Sequence, residues 1–192
     1  AIKTMGFTDL RVVCPKYSEY RAHPDAVALA TSSVDVLEKS TSFATLSEAL
    51  DDVLFAFALS GYNREFGPPM EDLRTSVLRA ASLLKDSPGA KTKIAFVFGC
   101  ERSGLTNEEM ALCQACSAIA ANPASPSLNL AQAVQITAYE MELALLKIEN
   151  HTGELYAWQD RFDHEEPAGV AALEGFFAHW EKAMMACGAL DP

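Results

Sequence analysis

The hydrophobic positions of the chain follow two patterns that alternate along its length. Short, mainly apolar runs such as LRVVC, VLFAFAL and KIAFVF are typical of strands that are buried on both faces of a sheet. Elsewhere, apolar residues recur every three or four positions, which predicts helices. The pattern predicts strands at 10–14, 53–59, 93–98 and 118–120, and helices at 25–30, 46–50, 71–85, 106–114, 128–148 and 168–186.

Strands that alternate with helices predict an α/β fold, with a mostly parallel sheet covered by helices on both faces. Ligands of such folds bind beyond the carboxyl ends of the strands. Three loops, at 60–69, 99–105 and 121–127, fall there, so we expect a binding site among them. We expect one domain over 1–150, a polar linker over 151–167, and a last helix over 168–187 that packs on the domain.

Composition narrows the class of protein. With 192 residues, of which 49% are hydrophobic, the chain can form one domain with its own core. It shows no apolar run of about eighteen residues and no signal-peptide pattern, so neither a membrane span nor secretion is indicated. Five scattered cysteines are typical of free thiols in a reducing cytoplasm. Cys113 and Cys116 form C-x-x-C without a second ligand pair, so we do not expect a metal site there.

The net charge of −11 is a poor match to nucleic acid, which favours basic surfaces. Most of the excess acid lies late in the chain, because residues 126–192 hold 11 Asp and Glu but only three Lys and Arg. A polyanion can approach the first two-thirds of the chain if Arg and Lys cluster there, because residues 1–125 hold 12 Lys and Arg against 15 Asp and Glu.

A first candidate site lies in FVFGCERSGL, at residues 96–105. Gly99 ends a buried strand, where it lets the backbone turn sharply and come close to a ligand. Glu101 and Arg102 follow it. The spacing of the two glycines matches neither the Rossmann nor the P-loop pattern, and the segment also suits an ordinary connection that carries an exposed ion pair.

A second candidate site is NPASPSLNLAQAV, at residues 122–134. Ser127 is predicted to cap the long helix, which leaves Asn129 on its first turn. The unpaired N–H groups and the positive dipole end at a helix start suit a carboxylate or a phosphate. The alternative is that Ser127 only caps the helix and that Asn129 is solvated.

Taken together, the two segments resemble the paired C-terminal motifs of the SpoU (TrmH-like) RNA 2'-O-ribose methyltransferases, in the SPOUT superfamily. MGFTDLRVVCP, near the start of the chain, resembles the first strand of that family. NPASPSLNLAQAVQITAYEMELA is similar to the TrmJ branch, which methylates the ribose of a cytidine or uridine in the anticodon loop of tRNA. The resemblance covers residues 1–150, and the last helix is also similar to that branch.

The resemblance implies a deep trefoil knot in the C-terminal part of the domain, a homodimer that pairs through the knotted region, and S-adenosylmethionine as cofactor. It implies that backbone groups of the three loops hold the cofactor, at Leu59, Ser60, Gly61, Gly99, Ile119, Pro126, Ser127 and Leu128. Glu101, Ser127 and Asn129 match the family's catalytic and substrate-positioning places, and Arg64 and Arg102 are candidate RNA contacts. The arginine that activates the ribose hydroxyl in this family would lie just before Ala1, so we expect the amino-terminal part of the domain to be incomplete in this chain.

Three alternatives remain open. The first is an rRNA 2'-O-methyltransferase of the same family. The second is a catalytically inactive RNA-binding or assembly protein that retains the knot, which the charge of −11 and the absent arginine favour. The third is another small-molecule enzyme in which Gly99 forms the ligand turn. The four histidines lie outside the three loops, and no metal site or Ser/His/Asp triad can be assembled from the sequence.

Overall fold

A computed structural model of the chain describes residues 1–61, 67–87, 92–149 and 168–190. The chain divides into two compact units, Ala1–Gly153 and Glu154–Pro192, each of which is described by itself. The described strands of the first unit are β1 (Arg11–Val13), β2 (Thr41–Phe43), β3 (Phe55–Leu59), β4 (Met70–Asp72), β5 (Ile94–Val97) and β6 (Ala115–Ala118). Its described α-helices are α1 (Pro24–Ala30), α2 (Val34–Lys39), α3 (Leu46–Ala49), α4 (Leu73–Asp86), α5 (Asn107–Ala111) and α6 (Leu130–Ile148), and the second unit contributes α7 (Val170–Ala186).

All pairings between these strands are parallel. Four strands form one sheet in the order β4–β6–β3–β5, and β1 pairs with β2 in a second sheet. The register places Phe57 of β3 beside Phe96 of β5 and Ala115 of β6. Because parallel neighbours end at the same edge of a sheet, the loops that follow β3, β5 and β6 emerge together, as predicted.

Helices cover both faces of the four-stranded sheet, which confirms the predicted α/β class. On one face Phe57, which is fully buried, packs in a cluster with Met141 of α6. On the other face Ala58 packs in a cluster with Met110 of α5. Alternate residues of β3 therefore pack in the two hydrophobic clusters on opposite faces of the sheet, which explains why the strand is apolar at every position.

The segment that follows β5 differs from the prediction. Helix α5 ends at Ala111 rather than at 114, and β6 runs from Ala115 to Ala118 rather than over 118–120. The cause is Gln114, whose N–H donates to the carbonyl oxygen of Ala56 (3.0 Å) and whose Oε1 accepts from the N–H of Ala56 (2.8 Å). The chain joins the sheet at Gln114 through this tertiary contact, which helical periodicity does not reveal, so the predicted boundaries are wrong here.

The hydrophobic pattern also predicts none of three short elements, β2, β4 and α2. Each has only three to six residues, too few to establish a period of 2 or 3.6. Because β4 runs directly into α4, the helix begins at Leu73 rather than at 71. Asp72 is its N-cap, and the carboxylate of Asp72 accepts from the N–H of Thr75 (3.1 Å).

The second unit contains the predicted last helix, α7. Its aromatic side chains are exposed, Phe177 at 62% and Trp180 at 51%, and Phe176 packs edge-on against Trp180. The packing of α7 on the domain stays a prediction, and the predicted linker over 151–167 lies outside the described residues. None of the described helices is long and apolar enough to cross a membrane.

Ionic contacts connect the amino ends of β1, β3 and β5. The guanidinium of Arg11, in β1, donates to the carboxylate of Asp52 and to the carbonyl oxygen of Ala49 (2.6 Å). The ammonium of Lys93, just before β5, donates to Asp52 (2.7 Å) and lies 3.5 Å from a carboxylate oxygen of Asp9. The hydrogen bonds from Arg11 and from Lys93 hold the pKa of Asp52 well below its usual range.

We predict that Asp52→Asn lowers the melting temperature at neutral pH and makes the melting temperature fall less steeply as the pH is lowered. A carboxylate whose pKa is lower in the folded chain than in the unfolded chain stabilises the fold above its unfolded pKa of about 3.9. That stabilisation is lost as the pH falls towards the folded pKa. Thermal unfolding followed by circular dichroism, from neutral pH to about pH 2, measures the effect.

The neighbouring variant Asp51→Asn is the control, because Asp51 is exposed and forms no ion pair among the described residues. The network is not stabilising if both variants show the same melting temperature as the parent protein at every pH.

Candidate active site

A cavity of about 230 Å³ lies at the carboxyl ends of β3, β5 and β6, where the three loops meet. All eight predicted cofactor residues line it: Leu59, Ser60, Gly61, Gly99, Ile119, Pro126, Ser127 and Leu128. Glu101 and Arg102 line it as well. The fold therefore brings together residues that are up to about seventy positions apart in the sequence.

Gly99 occupies the most crowded position of the cavity wall. A Cβ atom built there would lie 2.0 Å from the carbonyl carbon of Gly104 and 2.3 Å from the backbone nitrogen of Leu105. The loop folds back because the Gly104 N–H donates to the carbonyl oxygen of Cys100 (2.8 Å), and Gly104 has a φ of +67°. The sequence predicts that Gly99 lets the backbone approach a ligand, whereas in the structure its nearest neighbour is the loop that closes on itself.

The first loop also touches β6 and the third loop. The Ser60 N–H donates to the carbonyl oxygen of Ser117 in β6 (3.1 Å), and a Cβ on Gly61 would lie 3.4 Å from the carbonyl oxygen of Pro126 in the third loop. These contacts surround the cavity with main chain from separate strands. A ligand in it would meet backbone groups as well as side chains.

Asn129 connects the first turn of α6 to Glu101. Its Oδ1 accepts from the N–H of Ala131 (2.9 Å), and its Nδ2 donates to Oε1 of Glu101 (2.6 Å). Asn129 is therefore the N-cap of α6, and the predicted capping role of Ser127 is wrong. A capping oxygen has to reach an N–H two or three residues further on, and Ser127 lies two residues before the cap, where it lines the cavity.

The second loop carries a thiol that the sequence analysis did not single out. Cys100 is exposed and lines the cavity, and its Sγ lies 2.8 Å from the hydroxyl oxygen of Ser103. That hydrogen bond lowers the pKa of the Cys100 thiol. By contrast, burial raises the pKa of Cys113 to about 11. Of these two thiols, Cys100 is the one that ionises and reacts more readily.

Among the further lining residues, Ser117 in β6 lies outside the two candidate segments, whereas Phe98, Leu105, Leu130 and Ala133 lie within them. The two predicted RNA contacts differ, because Arg102 is exposed at the cavity whereas Arg64 lies outside the described residues. In the described part of the chain, no three potential metal ligands form a group that could hold an ion.

Comparison with known proteins places this geometry in context. Residues 1–139 match the profile of the SpoU rRNA Methylase family. The chain is 39% identical over 190 residues to the tRNA (cytidine/uridine-2'-O-)-methyltransferase TrmJ of Escherichia coli (strain K12), a match that covers 98% of this chain and 71% of that protein. TrmJ of Salmonella typhimurium is 38% identical, over 98% of this chain and 72% of that protein.

Solved structures share the fold. A probable methyltransferase from Bordetella pertussis has a TM-score of 0.69 and 46% identity, over 76% of this chain and 84% of that chain. TrmJ from Z. mobilis has a TM-score of 0.63 and 27% identity, over 100% of this chain and 74% of that chain.

We predict that Gly99→Ala disrupts the cavity wall. The added methyl group would meet the backbone of the 100–104 loop rather than a movable side chain, so the loop would have to open. We expect a loss of about 1–3 kcal/mol in the free energy of unfolding, measured by denaturant titration.

Gly61→Ala is the matched control, because its methyl group would be at an ordinary contact distance of 3.4 Å from the nearest atom. Equal stability of the two variants would mean that closure of the loop does not require a glycine at position 99.

Proposed function

The chain belongs to the SpoU rRNA Methylase family of methyltransferases, and we propose that it transfers a methyl group from S-adenosylmethionine to the 2'-hydroxyl of a ribose in tRNA, at a cytidine or uridine of the anticodon loop. The hydrogen bond between Asn129 and Glu101 carries the proposal, because it brings two candidate catalytic residues from separate loops to one place beside the cavity. The activity named for the TrmJ relatives supports the choice of substrate.

The cavity fits S-adenosylmethionine in the nature of its walls. Small-molecule sites combine apolar surfaces with a few polar groups, and here Leu59, Ile119 and Leu128 supply the apolar part. Main-chain groups of Ser60, Gly61 and Pro126 border the cavity and can meet a ligand directly. The cavity is smaller than the roughly 300–1,000 Å³ typical of ligand sites, so part of the cofactor would extend beyond it.

When bound, S-adenosylmethionine supplies an electrophilic methyl group. The acceptor is a hydroxyl, which is a weak nucleophile at neutral pH and needs a hydrogen-bond or proton acceptor beside it. Glu101 can provide one, because Asn129 holds its Oε1 while its Oε2 has no donor among the described residues. Glu101 would thereby orient the ribose hydroxyl, and such positioning supplies a large part of the rate acceleration.

The RNA has to approach a chain with a net charge of −11. Exposed Arg102 at the cavity and Arg64 in the first loop are the proposed phosphate contacts. The proposed homodimer would pair through the region of α6, where Tyr139 is 49% exposed. The deep trefoil knot and the cytoplasmic location stay predictions.

We predict that S-adenosylmethionine protects Cys100 from alkylation, because this exposed thiol lines the cavity. At a concentration about ten times its dissociation constant, the cofactor should slow the reaction of Cys100 with iodoacetamide about tenfold. Mass spectrometry of the digested protein measures each thiol separately.

Cys14 and Cys187 are the internal controls, since both are exposed and neither lines the cavity. Equal reactivity of Cys100 with and without the cofactor would place the cofactor elsewhere.

Transfer of a tritiated methyl group to unmodified tRNA tests the reaction itself. Digestion of the product should release 2'-O-methylcytidine or 2'-O-methyluridine. The assay should include rRNA as a second substrate, and a version of the protein extended at its amino terminus with the corresponding sequence of a relative. Methylation of rRNA alone would favour the rRNA alternative, and an extended protein that binds the cofactor but modifies no RNA would favour the inactive RNA-binding alternative.

We predict that Asn129→Asp retains the helix cap but loses methyl transfer. The aspartate keeps an oxygen for the N–H of Ala131, so the melting temperature should change by less than about 2 °C. Its other oxygen would replace the amide donor to Glu101 with a like charge, which repels that carboxylate. We expect turnover of the extended protein to fall about 100-fold.

Asn129→Ala separates the two roles of this residue, because it removes the cap as well and should cost about 1 kcal/mol of stability. An Asn129→Asp variant that is as active as the parent protein would exclude the proposed positioning of Glu101.

A further inference from the structure

Three buried side-chain oxygens have no hydrogen-bond partner in the described part of the chain: Glu71 Oε1, Ser117 Oγ and Thr137 Oγ1. Ser117 is fully buried and Thr137 is 3% exposed. A buried polar atom without a partner is destabilising, and folded proteins rarely leave one unpaired. Three such oxygens therefore indicate a hydrogen-bond partner that the described residues do not supply.

Glu71 and Ser117 are neighbours in the sheet. They are paired across β4 and β6, so their side chains project from the same face on strands about 4.8 Å apart. Ala115 and Ile119, two positions before and after Ser117, share this face and pack in the core beneath α4 and α6. The two oxygens therefore lie on the sheet face that those helices cover.

Helix α6, which carries Thr137, covers the same face of the sheet. Ala133, one turn earlier, lines the cavity, and Met141, one turn later, packs in the core on this face of the sheet. Thr137 lies between them on one side of the helix. An ion pair between Arg74 and Glu140 (3.2 Å) holds this part of α6 against the first turn of α4, which directly follows β4.

We propose that Glu71, Ser117 and Thr137 form an internal site for one water molecule, just below the floor of the cavity that Ser117 helps to line. Internal waters typically make about three hydrogen bonds to groups that are otherwise unpaired, which matches this set of three oxygens.

The donors and acceptors of such a site balance. One O–H of the water donates to Glu71 Oε1, since a carboxylate oxygen accepts hydrogen bonds and donates none. The other O–H donates to one of the two hydroxyl oxygens, and the water oxygen accepts from the second hydroxyl. Arg79 does not take this place, because its guanidinium lies 3.8 Å from the other oxygen of Glu71. The water thereby links β4, β6 and α6 beneath the cavity.

A high-resolution crystal structure of the protein tests the site directly. A water should lie within about 3.2 Å of all three oxygens. A direct hydrogen bond between Glu71 and Ser117 with no density between the three side chains would overturn the proposal. So would an ion in that position, recognised by anomalous scattering from crystals soaked in rubidium.

Stability measurements test the same site independently of enzyme activity. Ser117→Ala and Thr137→Val each remove one partner of the water, and each should lower the melting temperature by about 2–6 °C. Since both act through one water, the double variant should lose less than the sum. Ser40→Ala is the matched control: Ser40 is 4% exposed, but its hydroxyl is bonded to Leu37 and Tyr20, so its effect should add to that of Thr137→Val.

A triple variant distinguishes a shared water from three separate defects. Adding Glu71→Leu to the double variant removes the last unpaired oxygen, so the melting temperature should recover towards that of the parent protein. Oxygen-17 relaxation dispersion should then count one long-lived internal water fewer. Additive single effects, or an unchanged water count, would overturn the proposal.

Discussion

The parallel pairing of β3 with both β5 and β6 is the constraint on which the site depends. A central strand that is buried on both faces must be apolar at successive positions, and β3 meets this with a large Phe57 on one side and a small Ala58 on the other. Because the three strands are parallel, they all end at one edge, and crossover connections have to join them. The loops there can hold one ligand although the chain from the first loop to the third passes through two helices and three strands.

The Asn129 side chain shows how closely the site and the fold are joined. Its oxygen caps α6 and its nitrogen donates to Glu101, so one side chain serves the fold with one atom and the site with the other. Glu101 lies in an exposed loop, where an unpaired side chain would sample several rotamers and would lose conformational entropy when it binds a ligand. Asn129, fixed at the start of a 19-residue helix, holds the Glu101 side chain in one position before any ligand binds. The sequence of segment 122–134 is compatible either with helix capping or with a ligand site. Asn129 fits both, because it caps α6 and also donates to Glu101 beside the cavity.

The sequence predicts the parts of this structure that depend on local patterns. Continuous apolar runs place β3 and β5, and the order of elements places the three loops at one edge. The set of predicted cofactor residues follows from the family resemblance rather than from periodicity. The sequence could not decide which of Ser127 and Asn129 caps α6, because both residue types are good N-caps and only the backbone path selects one. The start of β6 depends on the contact between Gln114 and Ala56, two residues far apart in the chain, and no local pattern contains it.

One side of α6 runs from the cavity at the edge of the sheet to the core of the domain. Asn129, Ala133, Thr137 and Met141 recur every four residues along this side. Asn129 donates to Glu101, Ala133 lines the cavity, Thr137 belongs to the proposed water site, and Met141 packs in the apolar cluster. Thr137 lies about 12 Å along the helix from Asn129, too far for a direct effect on Glu101. A helix is stiff over two turns, however, so the proposed water, by linking Thr137 to the sheet, would also fix the position of the first turn of α6. The proposed water site would therefore act on the cavity through the position of the helix rather than through contact with a ligand.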